Sequence, residues 1–462
     1  MSAVLKTHLP KPFLVLAAVE WLTICFSLLV GFSAALGEIM SLSEAVSYWF
    51  LEIVVFSLAI SAMMFSMGLY NGQLSSEGPD IFVRLSLSFV LAFFILSVIF
   101  YMLPQIVIWR SVLGLAMIAA FLAVLATRFI FLHIVDIGSL KRRILVLGVG
   151  NQAARIDALE RTGRAFGFAC VGYLKVAGED SMVSPSRIAS GVTSIADFVE
   201  RARIDEIVVA VEDRRGCLPM HFLIDCRLSG TAITDYATFF ERETGSIDLK
   251  ALQPSWFIFS DGFPGGRMQQ LMKRALDLTM SVLLLVFFAP LMLLGAAAVK
   301  LESEGPVFYR QMRVGHRGMP FSLLKFRSMR ADAERDGVPK WADENDPRIT
   351  RVGAFIRRCR IDELPQILNV LKGDMSFVGP RPERPYFVEQ LSEKIPYYKE
   401  RHWVKPGITG WAQLNYDYGA SIDDARKKLQ YDLYYIKHYS VFLDLIIILQ
   451  TIRVIFWPKG VR

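Results

Sequence analysis

Two adjacent acids, Asp362 and Glu363, stand immediately before Leu364 and Pro365 in the stretch RCRIDELPQILNVLKGD. Acids suit the first turn of a helix, and proline is tolerated there because its missing N–H would be unpaired anyway. Leu364, Ile367, Leu368 and Leu371 follow at helical spacing, and Lys372-Gly373 supplies a stop. Locally, then, the pair predicts a helix start. That does not account for the cations around it. Arg357, Arg358 and Arg360 precede the acids, and Arg381 follows in FVGPRPERP, held between Pro380 and Pro382. A guanidinium on so stiff a mount can fork onto a phosphate. The run FYRQMRVGHRGMPFSLLKFRSMR predicts a hairpin turning at His316-Arg317-Gly318, with Lys325 and Arg327 on one strand face. A carboxylate at a helix start among arginines has a depressed pKa and can meet phosphate oxygens that would otherwise repel it. An aspartate so placed can attack phosphorus and form an acyl phosphate. Mg²⁺ held at Asp362 and Glu363 would neutralise a diphosphate.

The elements that position these residues sit in an apolar chain. Of its 462 residues 53% are hydrophobic, and the mean hydropathy of +0.39 is far above that of an ordinary soluble protein. A net charge of +7 suits anionic partners such as nucleotides, phosphates or acidic lipid. No basic block carries a nucleic-acid docking motif, so no nucleic-acid partner is expected. Five scattered cysteines (Cys25, Cys170, Cys217, Cys226 and Cys359) form no CxxC pair, which predicts neither a zinc site nor a disulfide framework.

Four apolar runs, Phe13–Leu36, Val46–Leu69, Ile81–Leu103 and Trp109–Ile134, are each long enough to span a bilayer. The first is long, contains Glu20 and precedes three more, so it reads as a span and not a cleaved leader. Lys6 and Lys11 before the first run, and Lys141-Arg142-Arg143 after the last, place both ends of residues 1–140 in the cytoplasm. Glu20 and Glu52 lie within spans, where a buried structural role is expected. Next, RRILVLGVGNQAARI ends a β-branched run in Gly148-x-Gly150-x-x-Ala153. With strand-like FACVGYL and EIVVAV it predicts a doubly wound, Rossmann-like α/β domain over residues 141–254. The second strand ends in Leu174-Lys175 where a dinucleotide site would want an acid, so no redox cofactor is expected.

After a linker (residues 255–266) comes the apolar run Ala275–Val299. Basic residues flank both sides, and Pro290 lies inside. The expectation is a helix that enters the bilayer, breaks at Ala289-Pro290 and returns on the same side. The last apolar run, Val441–Trp457, carries Asp444, Gln450 and Arg453 and predicts an interfacial helix, while Ser421 and Asp424 predict a capped one upstream.

Residues 267–462 resemble the bacterial sugar transferases, the monotopic polyprenyl-phosphate hexose-1-phosphate transferases. The motifs KRALDL, GPVFYRQMRVG, FSLLKFRSMR, DPRITRVGAFIRR, IDELPQILNVLKGDMSFVGPRPE and KPGITGWAQLNYDYG occur in one order. The spans and α/β domain ahead of them resemble the larger, exopolysaccharide-initiating members. The resemblance implies a bacterial inner-membrane protein with its accessory and mixed α+β catalytic domains in the cytoplasm. It implies that Asp362 attacks the β-phosphate of a UDP-sugar and releases UMP, and that undecaprenyl phosphate then takes the phosphosugar. Glu363 would assist, with Mg²⁺ as cofactor. Arg357 and Arg381 map to phosphate-binding positions, with Lys325, Arg327 and Pro382 beside them. Ala289-Pro290 stands where relatives often carry Ser-Pro, and Cys359-Arg360-Ile361 departs from a Thr/Ser-rich pattern. Glucose or galactose is the expected sugar, with acetamido sugars open, and a homodimer the expected assembly. A polyprenol glycosyltransferase would instead release UDP and show a DxD motif, which is not evident here; a membrane sensor or scaffold would turn nothing over.

Overall fold

The computed structural model describes residues 11–36, 42–70, 78–134, 141–162, 167–176, 179–189, 195–213, 218–260, 262–263, 266–330, 348–416, 419 and 421–456. Cys217 and the segment 331–347 lie outside them. The chain divides into two compact units, Met1–Gly245 and Ser246–Arg462.

In the first unit, the four apolar runs form the helices Lys11–Leu36, Leu42–Ser66, Gly78–Met102 and Arg110–Ile134. With Arg267–Glu302 of the second unit, five helices among the described residues are long and apolar enough to cross a membrane. The first and fourth pack closely: a Cβ on Gly31 would meet Ala116 Cβ and the Val112 carbonyl oxygen at 2.9 Å. Small residues at such a crossing let helix backbones approach. On the same pair, Glu20 is fully buried and ion-paired with Arg128 at 2.8 Å. Arg128 also donates to the Leu69 carbonyl at 3.0 Å, and Arg84 to that of Met67 at 3.4 Å. Two arginines thus serve carbonyls freed at the end of the second helix, and Glu20 has the structural partner expected of a buried acid. Glu52 is also buried.

Strands β1 (Arg142–Leu147), β2 (Phe168–Leu174), β3 (Glu206–Val209) and β4 (Ala232–Asp235) form an all-parallel sheet of order β2-β1-β3-β4. Leu145, Leu147, Ile207 and Val209 anchor its core. After β1 the chain turns at Gly148, where φ is +123° and an added Cβ would lie 2.5 Å from the Ala210 carbonyl oxygen, which excludes a side chain.

The second unit is organised around the helix Arg267–Glu302. Pro290 lies inside this single helix, which corrects the expected interruption at Ala289-Pro290. Proline removes one hydrogen bond and bends a helix, and the α-helical run continues through it. Its buried residues are Lys273, Asp277 and Ser281 near the start and Gly295 and Val299 near the end, each set at four-residue spacing. Val286, Phe287, Leu293 and Leu294, between the two anchored ends, remain exposed.

The hairpin forms as expected, with β5 (Phe308–Val314) antiparallel to β6 (Pro320–Phe326). The helix Arg351–Arg358 starts at Thr350, whose hydroxyl accepts from Gly353 N at 2.9 Å. Its Ile356 joins Val299, Phe326 and Ile361 in a small core under the acid pair. The helix Gln366–Lys372 follows, then β7 (Ser376–Val378), which pairs in parallel with β8 (Gly407–Thr409). The helix Ile422–Lys437 opens with the expected Ser421–Asp424 capping box. In the last helix, Val441–Phe456, Asp444 and Gln450 are buried in protein. Two of the three polar residues that marked this run as unlike a span therefore turn inward.

Candidate active site

The acids do not start the helix that the sequence predicts at them. They occupy a one-turn 3₁₀ segment, Ile361–Glu363, and the α-helix begins after Pro365. Arg360 just before them is left-handed at φ +57°, a conformation that costs a non-glycine residue about 1–3 kcal/mol. This turn lets Ile361 enter the core beside Phe326 while the next two side chains enter the site.

Glu363 is the anchored member of the pair. Lys325 Nζ donates to its Oε1 at 3.1 Å, and Arg381 Nη2 donates to the same oxygen at 2.7 Å. Burial pushes the Glu363 carboxyl up, but Arg381 and then Lys325 outweigh it and hold the group well below the usual carboxylate range. Asp362 is 7% exposed, and its carboxylate takes no hydrogen bond from a described residue. Burial, and then the neighbouring Glu363 charge, push its pKa up against the opposing charges of Lys325, Arg357 and Arg360. The depressed pKa expected of an acid in this setting thus falls on Glu363 alone, because Glu363 takes both direct cations.

Lys325 lies on β6 opposite Tyr309 of β5. Burial lowers its pKa, and the Glu363 charge opposes that. Arg327 is not its neighbour in function. The strand ends at Phe326, and the Arg327 guanidinium turns to the end of the long helix, donating to the carbonyls of Ser303 and Glu304 at 2.7 Å each. These are orphan acceptors of a helix C-terminus, which a buried cation satisfies. The structure therefore brings Lys325, Arg357 and Arg381 to the acid pair and commits Arg327 elsewhere. Ala289 and Pro290 lie inside the long helix, nearer its end than its start, with Pro290 exposed.

Arg313 is an unanticipated member of the site. Its Nη1 donates to the Pro382 carbonyl at 2.9 Å, and its Nε to Gln311 at 2.9 Å. With Lys325, Gln366, Arg381 and Pro382 it lines a small cleft beside Glu363. The hairpin register could have found it: a turn at residues 316–318 sets Arg313 against Phe321, two residues along from the Gln311–Leu323 pair and four from Tyr309–Lys325, hence on the Lys325 face. Asn369 was also missed. Its side chain accepts from Leu324 N at 3.0 Å and donates to the Ser322 carbonyl at 2.8 Å, fixing β6 to the helix that follows the acids.

The metal donors offered here are the two acid-pair carboxylates; among the described residues no three His, Cys, Asp or Glu side chains come together. That set fits a cation that takes its other ligands from phosphate and water, as Mg²⁺ does, and not a closed protein cage.

In the α/β domain, the glycine turn is met by the chain's own acid: Val149 N donates to Glu179 Oε2 at 2.8 Å. Lys175, after β2, is exposed.

The profile of the bacterial sugar transferase family matches residues 268–458, which contain every element of this site. The UDP-N-acetylgalactosamine-undecaprenyl-phosphate N-acetylgalactosaminephosphotransferase of Aeromonas hydrophila is 43% identical over 241 residues, covering 52% of this chain and 56% of that protein. The UDP-glucose:undecaprenyl-phosphate glucose-1-phosphate transferase of Escherichia coli is 37% identical over 269 residues, covering 57% of each. Its Klebsiella pneumoniae counterpart is 37% identical over 326 residues, covering 68% of each. The chain thus spans somewhat over half the length of the first two relatives and two thirds of the third. An acid pair locked among cations, carried on a sequence shared with these proteins over most of its length, places the chain in the bacterial sugar transferase family.

Proposed function

We propose that this protein transfers a hexose-1-phosphate from a UDP-sugar to undecaprenyl phosphate through a covalent aspartyl-phosphosugar. The observation that carries the reading is the division of labour in the acid pair. Glu363 is pinned by Lys325 and Arg381, whereas Asp362 is buried, takes no hydrogen bond from a described residue and is made more basic by burial and its neighbour. A more basic carboxylate is the better nucleophile, and a carboxylate acting covalently at phosphorus forms an acyl phosphate, a mixed anhydride that a second nucleophile can open.

In the first step an Asp362 carboxylate oxygen bonds to the β-phosphorus. The bond from that phosphorus to the bridging oxygen breaks, and UMP departs with the oxygen. In the second step an oxygen of the polyprenyl phosphate attacks the same phosphorus, and the acyl phosphate bond breaks to restore the carboxylate. Arg381 and Lys325 hold Glu363 and present positive charge toward the cleft, where phosphate oxygens gain negative charge. Arg357 and Arg360 extend that field around Asp362. Mg²⁺ would be held by Asp362 and Glu363 and, when bound, neutralises diphosphate charge.

The relatives' names include both UDP-glucose and UDP-N-acetylgalactosamine donors, so the donor class is a UDP-hexose with the 2-substituent open. In this reading the long helix Arg267–Glu302 enters the inner membrane from the cytoplasmic side, bends at Pro290 without ending, and returns, keeping the acid pair at the cytoplasmic interface.

The test is product analysis with membranes, polyprenyl phosphate, Mg²⁺ and a UDP-sugar panel. UMP release with label on lipid is expected. UDP release would assign an ordinary glycosyltransferase, and absence of turnover with every donor would leave a sensor or scaffold.

A further inference from the structure

The long helix reaches the active site through two buried charges that the reaction does not use. Asp277 is 3% exposed, and its Oδ1 accepts from Ser376 Oγ at 2.9 Å and from Phe377 N at 2.8 Å. One turn earlier, Lys273 is 4% exposed; its Nζ donates to the Val378 carbonyl at 3.1 Å and to Asp444 at 2.6 Å. All three residues of β7 are therefore tied to one helix, and Asp444 and Tyr435 close the network from two others. Three residues beyond Val378 stands Arg381, between Pro380 and Pro382, with its guanidinium on Glu363. Proline fixes φ on both sides of that arginine, so little slack separates the strand from the guanidinium. Arg401 Nη2 holds the Arg381 carbonyl at 3.0 Å from the other flank.

A polar side chain buried in an otherwise apolar helix costs desolvation unless it is fully paired. Both Asp277 and Lys273 spend their pairing on β7 and the network behind it. We propose that Asp277, supported by Lys273, is a positioning residue that sets Arg381 on Glu363 through β7, so that the membrane-inserted helix itself registers the phosphate-binding arginine. This rests on the reading of Arg381 as part of the transfer site.

The test is a double-mutant cycle in full-length protein in membranes, reading UMP release, with thermal unfolding of each variant alongside. Asp277→Ala should lower kcat/KM by roughly tenfold or more in the natural background and by less than about twofold in an Arg381→Ala background, because the two act as one unit. Asp277→Asn keeps an oxygen acceptor for Ser376 and Phe377, and should restore most of the turnover. Ser376→Ala removes one of the two bonds and gives an intermediate loss, should Asp277→Ala fail to fold. Equal losses in both backgrounds would make Asp277 a general structural residue and overturn the proposal, as would full turnover of folded Asp277→Ala. Full turnover of Arg381→Ala alone would instead overturn the reading of Arg381, and the proposal with it.

Discussion

Arg381 Nη2 lies 2.7 Å from Glu363 Oε1, on the same oxygen that Lys325 reaches from 3.1 Å. Two cations on one acid leave its sequence neighbour, Asp362, as the group whose ionisation is disfavoured. The two members of the pair should therefore respond oppositely to neutralisation. Asp362→Asn removes a buried charge that burial penalises, so stability should hold or rise while turnover is lost, since an amide cannot form the acyl phosphate. Glu363→Gln leaves Lys325 and Arg381 without their shared anion and should cost about 1–3 kcal/mol of stability. Residual turnover is expected there, because in the proposed mechanism Glu363 orients and does not bond to phosphorus. Thermal unfolding and UMP release on both variants check the pair, and label from a UDP-sugar trapped on Asp362 without lipid acceptor identifies the nucleophile.

The pH dependence follows in sign. Asp362 has a folded pKa above 3.8, so its ionised form is destabilising above that value and is relieved as pH falls. Glu363, held well below 4.5, contributes stability that is present above 4.5 and lost as pH drops through its folded value. The nucleophile must be ionised, so the acid limb of kcat/KM should titrate above 3.8. Lys325 opposes the Asp362 shift and Glu363 reinforces it. Lys325→Met should then move the limb to higher pH, and Glu363→Gln to lower pH, in pH–rate profiles of folded enzyme.

How far the sequence foretold this site depends on the kind of feature. The hairpin was legible because turn residues and alternation fix its register, and the four apolar helices because length and hydropathy suffice. The acid pair was visible as chemistry but misplaced as a helix cap: the left-handed Arg360, which no periodicity reveals, inserts a 3₁₀ turn first. Arg327 was misassigned because alternation was extended one residue past the strand, and the helix end that claims it is distant in sequence. Lys273 and Asp277 gave no signal of their pairing, and Asp444 marked its run as unlike a span without naming a partner, since a buried charge can be assigned only once its partner is known.

Arg327 gives a separable prediction. Its hydrogen bonds close the end of the long helix and touch neither acid. Arg327→Met should lower thermal stability by about 2 kcal/mol or more, with kcat/KM per folded molecule little changed. Arg381→Lys should do the reverse, since an ammonium does not reproduce a guanidinium fork.

The Glu20–Arg128 pair should behave as a buried ion pair. Removing one partner strands a charge inside the helix bundle, so Glu20→Gln or Arg128→Leu should each cost about 3–5 kcal/mol. The double substitution Glu20→Leu with Arg128→Leu removes both charges and should recover much of that loss. Unfolding in mild detergent checks the sign, and equal damage in single and double variants would argue for a role beyond pairing.

The glycine turn of the α/β domain carries its own anion. Val149 N is bonded to Glu179, so a dinucleotide pyrophosphate would have to displace a carboxylate and also lacks an acid partner at Lys175. Calorimetry of the full-length protein in detergent should show no micromolar binding of NAD(H). Such binding would reopen a nucleotide role for this domain.

Topology supplies the last prediction. Arg274, near the start of the long helix, donates to the Val370 and Leu371 carbonyls at 2.6 and 2.7 Å. Gly295, near its end, packs on Ile361, with 3.5 Å between the Ile361 Cγ2 and the position of a glycine Cβ. Both ends of one helix are thus fastened to the same short stretch, residues 361–371, which holds the acid pair. A straight crossing would carry the end of the helix about 30 Å of bilayer away from its start, and the charged body with it. The apolar, exposed middle around Val286, Phe287, Leu293 and Leu294 is the part left for lipid. Single cysteines at Met268 and Leu301, both exposed, should therefore label from the cytoplasmic face in a background lacking the native cysteines. Labelling of the Leu301 site from outside would remove the re-entrant arrangement and put the acid pair on the wrong side for a cytoplasmic nucleotide sugar.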